Sequence, residues 1–172
     1  MSSEVIRTPV PEDAAAISEI HAQGLATGHA SFSDKPHDWT SFSASYMKGC
    51  GLALITEDRN VPAAWAGVAS TSTRMTYRGV GEISVYVSND QRRSGLGRQL
   101  LQEMISTSEK AGYWTLVAQV FPENTASLAL HSKMGFSVVG RRAMLGLMSY
   151  GPCAGQWRDV IMMERRSDLV GR

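Results

Sequence analysis

The stretch 90-DQRRSGLGRQLLQ-102 sets two glycines, Gly95 and Gly97, among three arginines, directly after a β-like run and directly before a helix-like one. Glycine costs helix stability and arginine brings no apolar payload, so packing alone explains the segment poorly. A strand, a glycine-rich turn and a helix start together make an anion site. The first N–H groups of a helix lack intrahelical partners, the macrodipole favours negative charge there, and glycine lets a phosphate come close. A nucleotide P-loop needs G-x-x-x-x-G-K-[ST], which is absent, and a dinucleotide fingerprint needs a third glycine where this chain has Leu100. What remains, Arg92-x-x-Gly95-x-Gly97, fits a phosphate cradle and a glycine-softened helix start equally well.

Two further groups carry chemistry. Asn124, Ser127 and His131 fall at i, i+3 and i+7, so on a helix they share one face, with Ala126, Ala129 and Leu130 away from it. Asn124 also suits an N-cap. His131 is either a proton-transfer group or a structural histidine. Glu82 opens the alternating run 82-EISVYV-87, where a carboxylate is either a solvated strand-end residue or a general base. The histidines His21, His29, His37 and His131 show no ligand spacing, and Cys50 and Cys153 form no C-x-x-C. Neither a metal site nor a disulfide framework is expected.

Positioning these groups requires alternating strands and helices. Strands are predicted at 4–8, 51–58, 63–73 (paired with the one before through a turn at 58–62), 82–87, 114–120, at FSVVGRR and at 157–166. Helices are predicted at 11–24 (closed by Gly24), near 38–48, at 95–111 and at 123–135 (closed by Gly135). The 95–111 helix puts Leu96, Leu100, Leu101, Met104 and Ile105 on one stripe. With 172 residues, 43% of them hydrophobic, and no repeat or linker, one α/β domain spanning 1–172 is expected. A net charge of +1 argues for neither a nucleic-acid nor a membrane-surface partner. The absence of an apolar leader and of a run near 20 apolar residues points to the cytoplasm.

The order of strand, R-x-x-G-x-G, long amphipathic helix, strand, then N-x-x-S-x-x-x-H with a G-F ending resembles the GNAT superfamily of acyl-CoA N-acyltransferases. In this chain it reads EISVYVSNDQRRSGLGRQLLQ and then VAQVFPENTASLALHSKMGFSVVGR. The likeness runs from VIRTPVPEDAAAI to WRDVIMMERR. Y-R-x-x-x-E-x-S-V-Y-V (77–87) and W-R-D (157–159) are most similar to the phosphinothricin and methionine sulfone (sulfoximine) acetyltransferase group.

The resemblance implies an α+β fold: a mixed, mostly antiparallel sheet splayed at strands 4 and 5, with helices on both faces. It implies acetyl-CoA as cosubstrate, with the pyrophosphate held at Arg92, Arg93, Ser94, Gly95, Leu96, Gly97 and Arg98. The pantetheine arm would pair strand-like with Val85, Tyr86 and Val87. Asn124, with Ser127 beside it, would fix the cofactor's amide arm. Glu82 would be the general base, directly or through a water, and His131 a donor to the departing thiolate. Arg74 and Arg78 would read an acceptor carboxylate bidentately, and Phe32 would pack over the acceptor. Two departures touch that acceptor pocket: GVGE (79–82) lacks bulkier residues, and the link 141-RRAMLGLMSYGPCAGQW-157 is long.

The implied reaction is acetyl transfer from acetyl-CoA to the primary amine of a small amino-acid-like substrate in a ternary complex, by a homodimer. The competing readings keep the chemistry on an aminoglycoside, polyamine or protein N-terminus, or make the chain an acyl-CoA sensor without turnover.

Overall fold

The computed structural model describes residues 4–47, 50–56 and 60–172. Seven strands form one sheet: β1 (Glu4–Arg7), β2 (Cys50–Thr56), β3 (Pro62–Ser70), β4 (Val80–Val87), β5 (Thr115–Val120), β6 (Ser137–Leu147) and β7 (Trp157–Arg166). Their order is β1-β2-β3-β4-β5-β7-β6, and every neighbouring pair is antiparallel except β4 and β5. The predicted turn at 58–62 lies partly outside the described residues.

The parallel pair is the feature that makes a site. β4 and β5 are in register only from Val80↔Thr115 to Glu82↔Val117. Beyond Glu82, β4 stays paired with β3 as far as Ala64↔Val87, and β5 stays paired with β7 as far as Val120↔Ile161. The two halves of the sheet therefore diverge, each held by its outer neighbour, and they leave facing strand edges with unpaired ladder groups.

Alternation along β4 divides its side chains between two cores. Ile83, Val85 and Val87 pack with α3 (Leu96–Lys110), whose stripe Leu96, Leu100, Leu101, Met104 and Ile105 is buried as its 3.6-residue period predicts. Leu100, Leu101 and Met104 are fully covered, each worth about 1.5–3 kcal/mol of apolar transfer. Glu82, Ser84 and Tyr86 face the other side. There α1 (Ala14–Ala26) and α2 (Trp39–Phe42, continued by a π turn to Met47) bury Ile17, Ile20, Phe42, Tyr46 and Trp65.

The 11–24 helix differs from expectation at both ends. Residues 11–13 form a 3₁₀ turn, and the helix passes Gly24 to end at Ala26. Gly24 is there for close packing, since a Cβ on it would sit 2.8 Å from the Tyr86 ring. The left-handed residue just beyond the helix is Gly28, at φ +72°.

The long 141–157 segment is mostly hairpin. β6 runs on to Leu147, and the register slips between Arg142↔Val160 and Gly146↔Arg158. Met144 sits in this bulge at φ +46°, its N–H donating to Asp159 Oδ1 at 2.7 Å.

Candidate active site

The splay opens into a cavity of about 890 Å³ whose walls are β4, β5, the 92–98 turn, α4 (Thr125–Lys133) and the loop after α1. Its size suits a cofactor-sized ligand. Of the residues singled out in the sequence, Phe32, Glu82, Val85, Tyr86, Val87, Arg92, Arg93, Gly95, Leu96, Gly97, Arg98, Asn124, Ser127 and His131 line it. Ser94 does not; its hydroxyl donates to Gln91 O. Arg74 and Arg78 do not either. Both are exposed around the turn Met75–Tyr77, and the Arg78 guanidinium lies over the Trp114 ring, 5.3 Å from its centre. The expectation of a carboxylate held by these two arginines finds no support in their position.

At the wide end, Gly95 is the N-cap of α3 at φ +94°, a left-handed conformation that glycine adopts without strain. Arg98 N–H donates to Gly95 O at 3.0 Å, closing the first turn. The N–H groups of Leu96 and Gly97 precede that first bond and have no intrahelical acceptor, the arrangement an anion needs. A Cβ on Gly97 would lie 3.3 Å from Val87 Cγ2, so a side chain there would occupy the angle between turn and strand. The exposed Arg92, Arg93 and Arg98 ring this end. A cradle for pyrophosphate, a half-sheet edge for a peptide-like arm and a cavity of this volume fit coenzyme A.

Along α4, Asn124 caps the helix by accepting from Ser127 N–H at 3.2 Å, and its amide donates to His29 O at 3.2 Å. His131 is buried, with Nδ1 2.8 Å from Ser127 O and 3.3 Å from Ser127 Oγ. A carbonyl oxygen only accepts, so Nδ1 carries the proton and Nε2 presents a lone pair. Among the described residues that Nε2 is buried without a hydrogen-bond partner. Burial pushes the ring's pKa down, outweighing the opposing hydrogen bond to Ser127 O. The resting ring is therefore a neutral acceptor, and serving as a donor to a thiolate would first require a second proton that burial opposes.

Glu82 stands where the ladder between β4 and β5 ends. Gln119 Nε2 donates to its Oε2 at 2.9 Å, and Arg142 Nη1 donates to Gln119 Oε1 at 3.3 Å. Beneath this end lies an aromatic floor. His21 stacks on His37 with ring centres 4.7 Å apart and meets Tyr86 edge-on at 4.7 Å; its Nδ1 accepts from His37 N–H at 2.9 Å. Burial and the neighbouring His37 lower the His21 pKa to about 4, and burial raises that of Tyr86.

Arg158 ties the loop after α1 to the exit of β5. Only 3% exposed, it donates to Gly28 O at 2.7 Å, to His29 Nδ1 at 2.8 Å and to Glu123 Oε2 at 3.2 Å, with its guanidinium 4.1 Å from the centre of the Phe121 ring. Tyr150 OH donates to Ser31 O at 2.7 Å, and a Cβ on Gly146 would touch the Phe32 ring at 2.7 Å. The long hairpin is thus the outer wall of the loop that carries Phe32, and Leu145 from its bulge lines the cavity.

Gln119, Arg142 and Arg158 escaped the sequence reading, although two left a trace. Gln119 interrupts the apolar run TLVAQV, and Arg158 shares the buried phase of β7 with Val160. Among the described residues no group of three His, Cys, Asp or Glu side chains could hold a metal, and no helix is long and apolar enough to cross a membrane.

Comparisons agree with this geometry. Residues 19–136 match the acetyltransferase (GNAT) family. The chain is 34% identical to phosphinothricin N-acetyltransferase of Alcaligenes faecalis, over 93% of this chain and 81% of that one. It is 28% identical to L-methionine sulfoximine/L-methionine sulfone acetyltransferase of Pseudomonas paraeruginosa, over 96% of each. Among solved structures, yncA of Salmonella typhimurium with its cofactor acetyl-CoA superposes with a TM-score of 0.83 at 26% identity, covering 99% of this chain and 98% of that one. The splayed sheet, the glycine turn at the head of α3 and these likenesses identify the chain as a member of the acetyltransferase (GNAT) family, an enzyme that uses acetyl-CoA.

Proposed function

We propose that this enzyme acetylates the primary amine of a small amino-acid-like substrate, with acetyl-CoA and acceptor bound together in the cleft. What supports the reading is one juxtaposition: a carboxylate, Glu82, at the apex of a strand split whose open end carries the glycine turn. Bound acetyl-CoA supplies an acyl thioester to that apex. The acceptor class is supported by the relatives named for phosphinothricin and for L-methionine sulfoximine and L-methionine sulfone.

The chain's own residues then have separate tasks. The 92–98 turn holds the cofactor phosphates through backbone N–H groups, and the β4 edge from Val85 to Val87 aligns its arm. Glu82 takes the proton that the acceptor amine must shed on forming the C–N bond. The sulfur released as the C–S bond breaks is protonated from solvent, because His131 rests as an acceptor. Phe32 and Leu145 wall the acceptor from water. The same reading carries a homodimer in the cytoplasm, tested by light scattering and by cell fractionation.

The deciding experiment is Glu82→Gln, assayed by thiol release against methionine sulfone, methionine sulfoximine, phosphinothricin, a polyamine and an aminoglycoside. The expected result is a kcat lower by about 10²-fold or more with acetyl-CoA affinity retained, the loss shrinking as rising pH frees the amine unaided. Wild-type turnover by Glu82→Gln at pH 7 would falsify the base assignment. A preference for the polyamine or aminoglycoside would overturn the acceptor class.

A further inference from the structure

We propose that Gln119 is a positioning residue for Glu82 and that Arg142 holds Gln119 in the only amide orientation able to do this. The inference rests on the reading of Glu82 as the base. It starts from where the sheet opens: Glu82↔Val117 is the last pair between β4 and β5. Gln119 lies two residues farther along β5, on the face of Val117, so its side chain crosses the gap just where backbone pairing has stopped. Its Nε2 reaches Glu82 Oε2 at 2.9 Å.

The polarity of this chain of bonds follows from its ends. Guanidinium can only donate, so the Gln119 atom facing Arg142 at 3.3 Å must be the carbonyl oxygen. An ionised carboxylate can only accept, so the atom facing Glu82 must be the NH₂. Each end alone favours this orientation and the two reinforce each other, because the flip would set oxygen against carboxylate and NH₂ against guanidinium. Arg142 Nη1, Gln119 and Glu82 thus form a one-way relay from the β6 side of the sheet to the apex of the cleft.

The consequence is mechanical and electrostatic. A glutamate at a diverging strand edge has three side-chain torsions to lose before it meets an amine, and one charge-assisted bond removes most of that freedom in advance. With Oε2 engaged by Gln119, Oε1 is the oxygen that faces the acceptor proton. Neither Gln119 nor Arg142 needs to touch the reacting atoms.

The test is a double-mutant cycle in the full-length enzyme, reading kcat, acceptor KM, acetyl-CoA affinity by calorimetry and the melting temperature. Gln119→Leu is expected to lower kcat about tenfold while acetyl-CoA affinity stays within about twofold of wild type. In the Glu82→Gln background, Gln119→Leu should cost nothing more, because it acts only through the carboxylate. Arg142→Met, on the exposed edge strand, should lower kcat about threefold by removing one of the two bonds that brace the Gln119 side chain, and it carries the test if Gln119→Leu does not fold. Losses that multiply in the double variant, a loss confined to KM or acetyl-CoA affinity, or full activity in Gln119→Leu and Arg142→Met would each overturn the relay while leaving the base assignment standing. Wild-type turnover by Glu82→Gln alone would instead remove the base, and the relay with it.

Discussion

Along the cofactor end of the cleft most of the wall comes from one continuous segment, Glu82 to Arg98, with α4 as its cover. The acceptor end draws on pieces far apart in the chain: the loop 28–32, residues 119–123 of β5 and its exit, and the hairpin from Arg142 to Val160. The first end is shaped by backbone, through a strand edge, a left-handed glycine and a helix start. The second is shaped by side chains that reach across the fold, Arg158 above all. Backbone geometry tolerates changes of side chain, whereas a pocket built from long-range contacts changes whenever one contributor does.

Arg158→Leu tests the acceptor end most severely. It leaves Gly28 O and His29 Nδ1 without their donor and strips the cation from Phe121, so a loss of about 3 kcal/mol is expected from urea unfolding. In protein that remains folded, acceptor KM should rise more than acetyl-CoA affinity falls. Equal damage to both would show that the two ends do not act independently.

Acid should reach the aromatic floor next. His21 is held neutral in the fold down to about pH 4, against an ordinary value of 6.5. Above about pH 6.5 neither folded nor unfolded chain protonates it, and its neutral packing is fully available. As pH falls from there to about 4, the unfolded chain binds a proton that the fold refuses, and stability drains away by on the order of 3 kcal/mol. Burial of His131 acts in the same direction. Thermal melts across this range should show the slope, and His21→Gln should flatten it. An unchanged slope in that variant would place the acid-sensitive group elsewhere.

The mildest change targets the cofactor end. Gly97→Val puts a branched side chain against Val87 and Leu130 at the cradle. Acetyl-CoA affinity should drop more than tenfold, more than about 1.4 kcal/mol, in calorimetry, with acceptor KM unmoved. Unchanged affinity in folded protein would take the pyrophosphate away from this turn.

The contrast between the two ends also governs what could be read before the fold was known. The α3 stripe, the alternation of β4 and the glycine turn are local patterns, each decided by residues within a dozen positions, and all three stand in the structure as read. Gly24 has the local signature of a helix stop, but its task is to admit the Tyr86 ring, 62 positions along the chain. The role of Arg74 and Arg78 follows from the resemblance alone, and the 3₁₀ turn at Met75–Tyr77 leaves both on the exposed surface, with Arg78 over Trp114 and neither lining the cavity.

The sequence by itself therefore determined the alternating strand and helix order, the apolar stripe of α3, the glycine turn at Gly95 and Gly97, and the shared face of Asn124, Ser127 and His131. Periodicity and φ preference are properties of short segments and need no partner to be expressed. Only the tertiary structure decided where β4 and β5 part, which tautomer His131 holds, and that Gln119, Arg142 and Arg158 serve the site. Each of these depends on which strand lies beside which, and on hydrogen bonds whose two ends are separated by 23 to 130 residues, except for the bond from His131 to Ser127, which needs burial rather than distance to leave Nε2 unpaired.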